Sequence, residues 1–130
     1  MKVTDEIRGF KTAAISSDGI AELKEAAREA RIWSILATSV AKSGHPAGAL
    51  SSMDIYMTLL GAANVTPGNA DDMDRDRIVV SHGHTSAGFY SALAAYGFFK
   101  AEDMYSNFRR TGSPFQGHVE RLVPGVDWGT

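Results

Sequence analysis

From Asp18 to about Lys42 the apolar positions fall at intervals of three and four: Leu23, Ala26, Ala30, Trp33, Ala37 and Val40. That spacing predicts one face of a helix. Asp18 is placed to cap it, with Glu22 and Glu25 in the early turns where the helix dipole favours negative charge. Ile32, Ile35 and Leu36 widen the apolar face in the second half. The pattern therefore predicts a helix that starts at the surface and ends buried, delivering the segment Ser43–Gly48 into the interior. Ser51 or Ser52 caps a second predicted helix running to about Ala63, with Met53, Tyr56, Met57 and Leu60 as a core stripe and Ile55 and Leu59 on another.

Further along, Ile78-Val79-Val80-Ser81 reads as a short buried parallel strand. A helix is predicted from about Thr85 to Tyr96, stopped by Gly97, and a short one from about Ala101 to Arg110. Arg109 and Arg110 would then complement the dipole of its last turn. Residues 1–17 show no clear period and read as an N-terminal tail from which Ile7, Phe10 and Ile15 dock loosely. Residues 18–130 read as one unit, of α/β class: a parallel sheet flanked by helices, represented here by its first strand and a helix-rich N-terminal portion.

Composition narrows the function. The chain has 130 residues, 44% of them hydrophobic, which suffices for a folded core and argues against disorder. The net charge of -2 gives no general attraction to nucleic acid or to an anionic membrane. With no cysteine, disulfides and thiolate metal sites are excluded, which fits a cytoplasmic location. Between Trp33 and Ala70 only Lys42 and Asp54 are charged, and between Ile78 and Phe99 nothing is. A chain this short has little interior to bury such stretches, so a large partner surface is expected: a missing remainder, a separate subunit or a second copy. Asp71, Asp72, Asp74 and Asp76 lack the glycine and closing glutamate that an EF-hand requires, and read as a solvated acidic loop interleaved with Arg75 and Arg77.

The candidate chemistry lies in the four histidines, all in glycine contexts: Ser43-Gly44-His45-Pro46-Ala47-Gly48, Ser81-His82-Gly83-His84 and Gly117-His118. Pro46 stiffens the first loop while Gly44 and Gly48 free it. Strand, glycine turn and helix is the arrangement that brings ligands to the carboxyl end of a sheet, and it sets His84 at a helix start that suits an anion. A metal site from these imidazoles is disfavoured, because no histidine pair sits one helical turn apart and no carboxylate partner is evident.

The blocks SGHPAGALS, DRDRIVVSHGHTSAGFYSALAAYG and FRRTGSPFQGH followed by PGV resemble, in order, the amino-terminal part of the thiamine-diphosphate domain of transketolases. The resemblance runs from about Arg31 to Thr130. It implies an enzyme component moving a two-carbon ketol unit between sugar phosphates, with thiamine diphosphate as cofactor. It implies that His45 contacts the reacting carbonyl or hydroxyl and shares in proton transfer. It places His84 beside the cofactor towards the diphosphate, and His118 at the donor hydroxyl and the thiazolium side. His82 stands where the family often has another polar residue and is taken as supporting. Val119 stands where the family has proline. The family's Asp-Gly-Asp and Asn ligands for Mg²⁺, and its activating glutamate, have no counterpart in these residues. The resemblance thus implies inactivity without a completing C-terminal part or subunit, and a homodimeric partner. Nucleic acid and membrane are not among the implied partners. The competing expectations are a non-catalytic binding module, or a relative such as dihydroxyacetone synthase, deoxyxylulose phosphate synthase or a sulfosugar transketolase.

Overall fold

The computed structural model describes residues 1–129. Helix α1, Val3–Ile7, opens the chain. Two long helices follow, α2 (Ser17–Ala41) and α3 (Pro46–Ala62). After an acidic loop come strand β1 (Val79–Val80), a 3-10 turn at Gly83–Thr85 and helix α4 (Ser86–Ala95). Helix α5 (Ala101–Asn107) and a long loop then lead to strand β2 (Trp128–Gly129).

Helix α4 is the centre. Every residue from Ser86 to Ala94 is buried, which explains why no charge occurs there. Helix α3 lays Met53, Tyr56, Met57 and Leu60 against it, as the stripe predicts. The crossing is close because Gly88 has no side chain: a Cβ there would lie 2.8 Å from the Ala49 carbonyl oxygen. Gly97, at φ +83°, ends the helix in the left-handed conformation that glycine takes freely.

Several expectations are corrected. The first residues are not a loose tail. Val3 and Ile7 are buried, and the Glu22 carboxylate accepts from the Lys2 and Val3 N–H groups. Ser16, not Asp18, caps α2, accepting from the Gly19 N–H at 3.1 Å. The second half of α2 is buried on one face only: Ile32, Ile35, Leu36 and Val40 remain exposed, because Ala27, Ala30, Ser34 and Ala37 form the packed face. Small residues let the helices approach, and the large aliphatics point away. Helix α3 begins at Pro46 rather than near Ser51, since proline at the first helical position is pre-set for the turn and lacks only an N–H that would be unpaired anyway.

The predicted strand at 78–81 is only two residues long, and its partner β2 was not predicted. Among the described residues one parallel ladder is present, Val79 beside Trp128 and Val80 beside Gly129, so the architecture is helical. Val80 is buried but Val79 is 60% exposed, because only one face of the pair is covered. Asp127 fastens this pair. Its carboxylate takes a bidentate bond from Arg75 (2.5 and 2.9 Å), one from Arg77 at 3.1 Å and one from the Ile78 N–H at 2.9 Å. Arg75 is therefore buried and paired, not part of a solvated loop.

Candidate functional site

Three turns converge. Lys42 takes a left-handed conformation (φ 50°) and ends α2. Gly44 follows at φ +137°, where a Cβ would fall 2.7 Å from the Thr38 methyl and 3.2 Å from the Phe108 ring. This turn sets His45 as the N-cap residue of α3. His84 lies in the 3-10 turn between β1 and α4, and α4 itself starts at Ser86, one residue later than the sequence suggests. His118 lies on the loop after α5.

That last loop is tied to the start of α4. Ser86 Oγ donates to the Gly117 carbonyl and Tyr90 Oη to the His118 carbonyl, both at 2.8 Å. The Glu120 N–H donates to Tyr90 Oη at 2.7 Å, and the Val119 N–H to the Gly83 carbonyl at 3.2 Å. Burial pushes the Tyr90 phenol far above its usual range, so it stays a neutral donor. Val119 spends its N–H on the turn carrying His84, a bond that a proline at this position could not make.

The result is a row of imidazoles. The His45 and His84 rings stand edge to face with centroids 4.5 Å apart, and the His84 and His118 rings are tilted at 4.3 Å. The Nε2 atoms of His84 and His118 are 3.4 Å apart. All three residues are exposed, so the row forms an open face. Its neighbours make His84 harder to protonate. The His118 imidazole, some loss of hydration beside its neighbours, His45 and the Arg109 guanidinium hold it below the ordinary imidazole range.

Arg109 is the residue that sequence reading undervalued. It lies beyond the end of α5, at φ 57°, so it does not serve a last helical turn. Its guanidinium packs on Gly117, with Cζ only 2.9 Å from where a Cβ would be. Helical spacing gave no hint of this, because a backbone reversal places it. Ser86 and Tyr90 carried more signal: they are two of three hydroxyls, with Ser91, in a helix whose other residues are apolar or glycine, and buried hydroxyls need polar partners.

His82 points elsewhere. Its ring stacks on Tyr56, and Nε2 meets Tyr56 Oη at 2.9 Å and Ser52 Oγ at 3.3 Å. Chemically, the three-histidine row with Arg109 presents N–H donors and a poised base, suited to an anion and to proton movement near neutral pH. Among the described residues no group of three or more histidine, aspartate or glutamate side chains is arranged to hold a metal ion, and no helix is long and apolar enough to cross a membrane.

Residues 22–130 match the family described as transketolase, thiamine diphosphate binding domain. The chain belongs to the transketolase family. Transketolase 1 of Saccharomyces cerevisiae is 36% identical over 97 residues, which cover 75% of this chain and 14% of that protein. Transketolase 2 of Vibrio vulnificus is 37% identical over 106 residues, 80% of this chain and 16% of that protein. The solved transketolase from Leishmania mexicana superposes with a TM-score of 0.73 at 32% identity, covering 83% of this chain and 16% of its own. The chain thus spans about one-sixth or less of the transketolases it matches, and within them it corresponds to part of the cofactor-binding domain.

Proposed function

We propose that this chain supplies the histidine face of a transketolase, an enzyme that transfers a two-carbon ketol unit between sugar phosphates with thiamine diphosphate. The observation that carries the reading is the convergence of His45, His84 and His118 from three separate turns, with adjacent rings 4.5 and 4.3 Å apart. Such an arrangement is costly to specify for packing alone, since all three rings are exposed.

The donor set fits the organic cofactor. His84, backed by Arg109, would meet the anionic diphosphate end through N–H donors, with His118 on the thiazolium side. His45 and His118 would meet the hydroxyl and carbonyl of the sugar, hold them in place and pass protons through their imidazole nitrogens. Thiamine diphosphate, when bound, supplies the carbanion centre and electron sink that the side chains lack. Mg²⁺ takes oxygen ligands in a near-octahedral set, and we assign those ligands to groups other than the described residues. The exposed Ile32, Ile35, Leu36 and Val40 would be covered by the completing part of the enzyme or by a partner subunit, in a cytoplasmic assembly.

Calorimetric titration of the chain with thiamine diphosphate, with and without Mg²⁺, tests the reading. Measurable binding is expected, weakened at least about tenfold by His84→Ala or His118→Ala, a loss of ~1.4 kcal/mol or more for a charge-assisted hydrogen bond. No difference between those variants and the parent chain would remove the histidine face from the cofactor site.

A further inference from the structure

His82 and Tyr56 form a relay whose proton positions can be worked out atom by atom. The Thr85 hydroxyl has one proton, and Thr85 Oγ1 donates it to the His82 carbonyl at 2.9 Å. Tyr56 Oη makes a short hydrogen bond with the same Thr85 Oγ1. With Thr85's proton committed, the proton between the two oxygens must belong to Tyr56. Tyr56 therefore donates to Thr85 and has only lone pairs left. His82 Nε2, 2.9 Å from Tyr56 Oη, must then be the donor, with Ser52 Oγ at 3.3 Å as a second, longer acceptor. This requires His82 to carry its proton on Nε2 and leaves Nδ1 as the basic atom.

The relay sits between the elements that carry the site. Thr85 ends the turn holding His84 and is 5% exposed. Its methyl lies 3.1 Å from where a Cβ of Gly48 would be, in the first turn of α3, whose N-cap is His45. Tyr56 is 3% exposed and its ring meets Phe89 of α4 edge to face at 5.2 Å. His82 side chain, Tyr56, Thr85 and His82 carbonyl close a ring of hydrogen bonds that joins the middle of α3 to the turn before α4. We infer that His82 is a positioning residue: fixed as the Nε2–H tautomer by Tyr56 and Thr85, it locks the His84 turn on α3 and so sets the meeting of His84 with His45. Its bearing on ketol transfer rests on the function proposed above; the geometry and its test do not.

Long-range proton–nitrogen correlation NMR on the full chain reads the tautomer directly, above the pH at which His82 takes up a second proton. The expected pattern is protonation at Nε2 alone. Tyr56→Phe keeps both ring contacts but removes the acceptor, so His82 should relax to a mixture of tautomers and the ring-to-ring Overhauser contact between His45 and His84 should weaken. Thr85→Val should do the same through the relay, and Thr85→Ser should restore the parent pattern, which loss of packing would not explain. An Nδ1–H tautomer or a mixture in the unmodified chain overturns the inference. So does an unchanged His45–His84 contact in both Tyr56→Phe and Thr85→Val. The tautomer of the parent chain decides the first point even where a variant fails to fold. Absence of thiamine diphosphate binding would count against the proposed function and leave this test untouched.

Discussion

Asp127→Ala should lower the unfolding free energy by about 3–5 kcal/mol, the usual cost of removing one partner from a buried ion pair. The variant leaves the Arg75 guanidinium, whose side chain is only 4% exposed, without its counter-charge. The Ala70 and Asp76 carbonyls still accept from Arg75, but they do not neutralise it. It also removes the acceptor of the Ile78 N–H, the bond that sets β1 beside β2. The pH dependence follows from the same contacts. Burial alone would push the Asp127 carboxyl up, but Arg75, the Ile78 N–H and Arg77 together hold it below the usual carboxylate range. A carboxyl with a depressed folded-state value stabilises the fold above its unfolded value of about 3.9. That stability is lost as pH falls from there through the folded value. Urea unfolding at neutral pH should show the full loss, and Asp127→Asn should flatten the acid limb of the stability profile. A loss under ~1 kcal/mol would place this pair with surface ion pairs.

Gly88→Val should cost about 3 kcal/mol, the upper end for overpacking. The added Cβ meets backbone, not a movable side chain: the Ala49 oxygen at 2.8 Å and the Ala49 Cα at 2.9 Å. Helices α3 and α4 must then separate. Because His45 caps α3 and His84 precedes α4, the same change should part their rings. Denaturation measures the first effect, and the ring-to-ring contact of His45 and His84 in NMR measures the second. A fully stable variant with an intact contact would show that the crossing is not held as tightly as this glycine implies.

Much of the helical framework was legible along the chain, because its signals are local. The three-four spacing gave α2, and the absence of charge from Ile78 to Phe99 marked the buried α4. Where two readings of one local pattern compete, the sequence misled. Ile32, Ile35, Leu36 and Val40 read as core by hydropathy, yet alanines on the neighbouring face permit the closer helix approach. Pro46 read as a loop stiffener, yet it serves equally as the first residue of a helix. The rest depends on contacts between distant residues. Arg75 and Asp127 are 52 positions apart, and neither has a pattern that names the other. The histidines were visible as candidates through their glycine contexts and the family resemblance. Their spacing across three turns, and the place of Arg109 beside them, are set by Gly44, Gly117 and the α4 hydroxyls acting together.

The measurement that bears most directly on the account is the proton NMR titration of His84, in the parent chain and in His118→Ala. If the three imidazoles form one face, His84 titrates below the ordinary imidazole range, and loss of the His118 ring moves it back towards that range. An ordinary titration of His84, unchanged by His118→Ala, would mean that the rings do not meet, and the proposed site would fall with them.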